Sequence, residues 1–368
     1  MKTVENIIED FTLQYPLEQH CRPDQVLFLD IETTGFTART SAIYLIGCLY
    51  YKDNQWHSIQ WFAENGNEQA DIVNAFFSFA EDYHFLIHFN GNNFDLPYLS
   101  QKCEQYQLPY NFDRFEGIDL YRRISPCKSL LNLPNCKQKT LECYLGLNRQ
   151  DLYNDGELIG IYQDYVNHPT GEAADILFLH NAEDLKGMLT ILPLLAYQDA
   201  LQYHLKPKKV QANHYRDADD NRRTELLITV LLPAAVPKPV TASACGCYAR
   251  LEDKEAVIRV PVYEEELKYF YANYKDYYYL PEEDLALHKS VASFVDKEHR
   301  IPATAQTCYT RKASSYLRQW DHLFVPFFKK DYQSHELYFE LTDEMKKDRP
   351  AFAAYASHIL NMLASRQS

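Results

Sequence analysis

The first half of the chain alternates between short apolar runs and stretches whose apolar residues recur every three or four positions. Residues 26–29 are four apolar residues in a row, and they enter Asp30-Ile31-Glu32-Thr33-Thr34-Gly35. A short apolar run closed by glycine reads as a buried strand, here at about 25–32. Residues 42–51 and 55–62 are β-rich and are separated by Lys52-Asp53-Asn54, a hairpin signal. Two more strands fall at 85–89 and 117–120, the second ending on Asp119. Helical periodicity runs through Ile72, Val73, Phe76, Phe77 and Ala80, predicting a helix over 67–81. A helix starting near Phe94 follows the capping residues of Asn90-Gly91-Asn92-Asn93 and carries Asp95 in its first turn. Further helices are expected at 138–145, capped by Thr140 and stopped by Gly146, at about 157–167 after an Asp155-Gly156 turn, and at about 172–192. Residues 1–25 read as a helix followed by a loop containing Pro16 and Pro23. Strands and helices in alternation, with one early meander, predict an α/β mixed sheet covered by helices.

After Leu205 the pattern changes. Residues 204–222 are polar and charge-blocked and read as a linker. Strands are then expected at 225–232, 249–262 (turning at Glu252-Asp253-Lys254), 277–280 and 303–309, with helices at 284–295 and 351–363. The expected organisation is a first domain over 1–203 and a small α+β accessory domain over 223–368. A length of 368 residues also favours two domains.

Composition narrows the class. The nine cysteines show no C-x-x-C pair, and Cys245-Gly246-Cys247 with distant Cys308 is too loose for a zinc site. Buried thiols in a reducing, cytoplasmic setting are the expectation. The start lacks the basic and apolar regions of a signal peptide, and the longest apolar run, 226–236, is too short to span a bilayer and contains Pro233. No membrane role is expected. The net charge of −14 is uneven: residues 1–200 hold 13 basic and 28 acidic residues, −15, against 24 and 23, +1, in the rest. So acidic a first half argues against nonspecific polyanion binding there, unless metal ions recruit the phosphates.

The candidate chemistry lies in three separated segments. Side chains alternate across a strand, so Asp30 and Glu32 project from one face. Two carboxylates sharing a buried face repel each other unless a cation or a proton neutralises them, and hard oxygen ligands suit Mg²⁺ or Mn²⁺. A strand end with two solvated acids fits the same residues. Asp95 is either a first-turn acid or a third ligand. In His180-Asn181-Ala182-Glu183-Asp184, the i, i+4 spacing places His180 and Asp184 on one helical face. Taken alone, His180 fits an ordinary packed histidine and Asp184 a partner for Lys186 or solvent.

Asp-Ile-Glu-Thr-Thr-Gly, then Phe-Asn-Gly-Asn-Asn-Phe-Asp-Leu-Pro, then His-Asn-x-x-Asp resemble the three exonuclease motifs of the DEDD (DnaQ-like) 3′–5′ exonuclease superfamily. That superfamily has an RNase H-like fold, and the nearest branch looks like the bacterial YprB-type RNase H-like exonucleases. Ile118-Asp119-Leu120 and Lys139-Thr140-Leu141-Glu142 keep a similar spacing, so the resemblance covers roughly 24–197. It implies that Asp30, Glu32, Asp95 and Asp184 are metal ligands for two Mg²⁺ or Mn²⁺ ions. Two such ions about 3.5–4 Å apart activate the attacking water and stabilise the leaving 3′ oxygen. His180 is the implied general base. Histidine members of the superfamily usually show His-x4-Asp and tyrosine members Tyr-x3-Asp; here a histidine stands at the tyrosine spacing. Thr33 and Gly35 are implied to touch the terminal nucleotide through backbone groups. Phe36 or Phe94 would wedge against its base, unless they pack in the core. Glu183 is a weaker alternative ligand, and Asp119 either supports the site or merely ends a strand.

The resulting expectation is a cytoplasmic, metal-dependent 3′–5′ exonuclease acting on DNA or RNA, with a single-stranded 3′ end as partner. The competing readings are a catalytically silent nucleic-acid-binding or scaffold protein and a hydrolase of short oligonucleotides. All four carboxylates are present, which argues against a silent site. In the second half, the aromatic run 269–279 offers either stacking surfaces or a packed strand and loop. Basic clusters at Lys206, Lys208 and Lys209, at Arg222 and Arg223, and at Arg311, Lys312 and Arg318 are candidates for holding a strand.

Overall fold

The computed structural model describes residues 1–9, 11–147, 149 and 153–366. The chain divides into two compact units, the first made of Met1–Asp199 with Ala234–Lys238 and the second of the remainder.

In the first unit, six strands form one sheet: β1 (Lys2–Ile8), β2 (Val26–Thr33), β3 (Ile43–Lys52), β4 (Gln55–Phe62), β5 (Phe85–His88) and β6 (Glu116–Asp119). Their spatial order is β1-β4-β3-β2-β5-β6. β2, β3 and β4 are the predicted antiparallel meander, whereas β5 and β6 join β2 in parallel. Parallel neighbours need crossovers, and these carry α1 (Gln69–Ala80) and α2 (Asp95–Tyr106). After β6 come α3 (Leu120–Ile124), α4 (Gln138–Leu145), α5 (Asp155–Asn167), α6 (Gly171–Ile191) and α7 (Leu195–Gln202).

The period-two pattern of β2 decides which way its acids face. Leu27, Leu29 and Ile31 enter a core shared with Ile72, Val73, Phe76 and Phe77 of α1 and with Tyr98 and Leu99 of α2. Asp30 and Glu32 therefore point to the opposite face, where Tyr44, Leu45 and Phe62 pack against α5 and α6. Gly47 is the reason α6 can lie so close to the sheet: a Cβ there would stand 1.9 Å from Asn181 Oδ1 and 2.8 Å from Leu185 Cδ1. Helices on both faces of a mixed sheet match the predicted architecture.

The second unit is mostly β. Strands β7 (Lys206–Arg216), β8 (Arg222–Ala244), β9 (Cys247–Phe270), β10 (Tyr277–Leu280), β11 (Leu285–His288), β12 (Ile301–Pro302), β13 (Tyr309–Gln319), β14 (Phe327–Phe328) and β15 (Leu337–Glu340) form two sheets. One has the order β14-β15-β13-β9-β8-β7 and the other β11-β10-β12. It also holds a single turn, α8 (Lys289–Ala292), and a longer helix, α9 (Arg349–Arg366), whose Tyr355 is fully buried and stacks edge-on with Phe339 at 5.1 Å.

Several local expectations are overturned. Residues 2–8 are strand β1, not a helix, paired with β4 from Lys2↔Phe62 to Ile8↔Trp56. Val4, Ile7 and Ile8 have helical spacing, but the backbone of a distant strand satisfies this segment, and most of its side chains stay exposed. The expected linker 204–222 is mostly strand β7, turned into β8 at Asp217, whose carboxylate accepts from Asp219 N and Asn221 N. Its lysines are those of an exposed edge strand. Glu252-Asp253-Lys254 does not turn the chain, and β9 continues through it. Two consecutive residues at positive φ, Cys245 and Gly246, make the β8–β9 turn instead. Residues 284–295 hold only β11 and α8. Residues 304–308 form a turn stitched by Thr304 and Thr307 rather than a strand. Thr140 does not cap α4; it donates to Asn135 Oδ1, and Lys137 holds the cap position. α5 begins two residues early because Asn154 and Glu157 form a capping box.

Candidate active site

Three elements bring the predicted residues to one place. β2 presents Asp30 and Glu32 on its α6-facing side. The turn after β5 delivers Asp95 at the first position of α2, 6% exposed. α6 carries His180 and Asp184 one turn apart. Together with Thr33, Gly35, Phe36, Phe89, Asn90, Asn93, Phe94 and Ile159, these five side chains line a pocket of 440 Å³. His180 is 3% exposed, and its Nε2 lies 3.2 Å from Asp184 Oδ2 and 3.7 Å from Glu32 Oε1. Ligand atoms of Glu32, His180 and Asp184 fall within 4.8 Å of one another. The i, i+4 spacing thus does bring the imidazole to the carboxylates. Glu183 and Asp119 do not line the pocket.

Electrostatics show how crowded the carboxylates are. Burial pushes Asp30 well above the ordinary carboxylate range, and Asp184, Glu32 and Asp95 push it further. One donor opposes this: Asn181 Nδ2 to Asp30 Oδ2, 2.8 Å. Burial likewise raises Asp95 to about 7 against hydrogen bonds from its own backbone and that of Ile31, with Asp119 and Asp184 adding to the rise. Asp184 is raised by burial and held back chiefly by Arg149. A site that drives its own carboxylates toward protonation is one that a cation would stabilise. Buried oxygen donors beside an imidazole suit a hard or borderline divalent metal.

The surrounding residues fix this geometry. Asn181, fully buried, is itself held by Gln60, whose Nε2 donates to Asn181 Oδ1 (2.8 Å) and to the Phe178 carbonyl (3.0 Å). Asp119 accepts from Asn90 N at 3.0 Å and caps α3, so it shapes the turn that leads to Asp95. Gly91 closes that turn because a Cβ there would meet His88 at 2.7 Å. The loop after β2 is pinned by Ser41, which bonds the Gly35 carbonyl and Tyr98 OH, and by buried Lys102, whose Nζ donates to the Ser41 carbonyl at 2.7 Å. It holds Phe36 out at 93% exposure with its ring edge-on to Phe94.

Sequence reasoning missed Gln60 and Arg149, and saw Asn181 and Glu142 only as part of a motif or spacing. Gly47, a lone glycine among bulky strand residues, was the available signal for a close-packed α6.

Residues 27–196 match the family model RNase_H_2, described as RNase_H superfamily. The matched span begins in β2 and ends in α7, and it holds every one of the five central residues. With the strand order above, the first unit has an RNase H-like fold. Among solved structures, the family B DNA polymerase of Pyrobaculum calidifontis is 13% identical, with a TM-score of 0.39 over 73% of this chain and 40% of that one. E. coli exonuclease I in complex with a dA16 oligonucleotide is 12% identical, with a TM-score of 0.29 over 57% and 55%. The chain thus spans about half, or less, of those proteins. A comparison with curated proteins found no match.

Proposed function

We propose that the first unit is a metal-dependent 3′–5′ exonuclease of the DEDD type, nearest the YprB-type branch, hydrolysing phosphodiester bonds of DNA or RNA. The convergence of four carboxylates and an imidazole on one pocket of an RNase H-like sheet supports this above all. Asp30, Glu32, Asp95 and Asp184 would hold two Mg²⁺ or Mn²⁺ ions, which supply charge neutralisation and water activation when bound. His180 Nε2 faces both Glu32 and Asp184, and so stands where it can take a proton from the attacking water. Thr33 and Gly35 border the carboxylates and offer backbone groups to the terminal nucleotide. Phe36 and Phe94 offer ring faces to its base, which favours a nucleic-acid end over a simple phosphodiester.

The test is a panel of 5′-labelled DNA and RNA strands incubated with Mg²⁺ or Mn²⁺. A ladder that shortens from the 3′ end and vanishes in EDTA supports the proposal. Label released first as a mononucleotide would mean attack from the 5′ end.

A further inference from the structure

Against Asp184, and outside the residues that line the pocket, lies an arginine that the reaction as described does not use. Arg149 is 8% exposed at its side chain and forks onto Glu142: Nε to Oε2 at 2.5 Å and Nη2 to Oε1 at 2.6 Å. The same Nη2 reaches Asp184 Oδ1 at 2.7 Å. Glu142 is 1% exposed and has little freedom. Gln138 Nε2 donates to its Oε1 and to the Asp184 carbonyl, and Gly187 leaves it room that a Cβ, at 2.0 Å, would remove. One guanidinium is therefore shared by two carboxylates. Asp184 has one oxygen engaged by the guanidinium, while the other, Oδ2, faces His180.

We propose that Arg149 is a positioning residue that sets the metal affinity of the pocket, and that Glu142 tunes it by drawing off part of the guanidinium charge. This rests on the metal-site reading above. With the Glu142 carboxylate in place, the guanidinium is shared between two acids and Asp184 keeps most of its strength as a ligand. Without the Glu142 charge, the whole guanidinium would neutralise Asp184 and repel an incoming cation. Without either charge, Asp184 would meet the cation free of the guanidinium's competition. A buried arginine is suited to this because it stays protonated at any working pH and holds a planar fork geometry.

The two effects have opposite signs, which a merely structural role cannot produce. Removing Arg149 alone would strand a buried carboxylate and endanger folding. The informative variants of the full-length protein are therefore Glu142→Gln, which keeps the shape, and the double variant Glu142→Gln/Arg149→Gln, which leaves two amides able to bond each other. Mn²⁺ binding is read by electron paramagnetic resonance without substrate, with cooperative melting as the check on folding. The Mn²⁺ dissociation constant should rise at least threefold in Glu142→Gln and fall at least threefold in the double variant. Folded variants that bind Mn²⁺ like the parent overturn the inference and leave the exonuclease reading standing. A parent that binds no Mn²⁺ overturns both.

Discussion

At the scale of single residues, the site is a balance between carboxylates that repel and the few groups that restrain them. Asp30→Asn or Asp184→Asn should abolish turnover while the protein still folds, because each change removes a ligand charge and also relieves repulsion. Near-normal rates at saturating Mg²⁺ would contradict the ligand assignment. His180→Ala should cost about 10²–10⁴-fold in kcat with Mn²⁺ affinity mostly kept. Asn181→Ala should cost about 10–100-fold in metal affinity or activity, since Asn181 orients Asp30 from behind. A pH dependence follows from the same crowding. Asp95 lies near 7 in the folded, metal-free protein against an ordinary 3.8, and Asp30 and Asp184 are raised too. Between those values the folded state holds protons that the unfolded chain has lost, so stability is full at low pH and falls as pH rises through 7. In EDTA, the melting temperature should therefore be higher at pH 6 than at pH 8, and Asp95→Asn should flatten the slope. A rise toward pH 8 that Asp95→Asn leaves untouched would go against it.

At the scale of elements, what the sequence made legible were the segments whose stability is local. The Asp30/Glu32 pair on one strand face, Asp95 in a first turn and the His180/Asp184 helical pair all follow from periods of 2.0 and 3.6. β1 and β7 were illegible because both are exposed edge strands, stabilised by backbone pairing with partners far away in sequence rather than by a periodic apolar face. In sequence, β9 reads as turning at Glu252-Asp253-Lys254 because that stretch is polar. Asp253 does adopt φ +50, but a single left-handed residue does not reverse a strand, and the Cys245-Gly246 pair does. Gly47 shows how one position links packing to chemistry. A Cβ at that point collides with Asn181, the residue that restrains Asp30, so Gly47→Ala should force α6 outward. A loss of about 1–3 kcal/mol in stability is expected, as for overpacked cores, together with reduced activity. Thermal melts and rates on one substrate check both. Unchanged activity in a destabilised protein would detach α6 position from catalysis.

At the scale of the whole molecule, the charge split of −15 and +1 pointed to the second half as the part that holds a polyanion. Several of its clustered bases are paired with acids: Arg223 with Asp217, Arg311 with Glu266, Lys312 with Glu340 and Arg318 with Glu336, at 2.7–3.2 Å. Much of the aromatic run is packed as well, with Tyr271 stacked on Tyr277 at 4.6 Å and Tyr279 tied to Asp284. Replacing Arg311 and Lys312 together by alanine should therefore change the salt slope of single-strand binding by less than about one phosphate equivalent. A larger change, measured by fluorescence anisotropy over a salt series, would return the strand-holding role to these residues. The central claim is that the carboxylate pocket removes nucleotides from a 3′ end with the help of bound divalent ions. Its most direct test is a time course on a 5′-labelled single strand, with the wild type and Asp184→Asn side by side, in Mn²⁺ and in EDTA. The account predicts a ladder descending one nucleotide at a time, only for the wild type and only with metal. A ladder that persists in EDTA or in Asp184→Asn, or an intact strand under every condition, would contradict it.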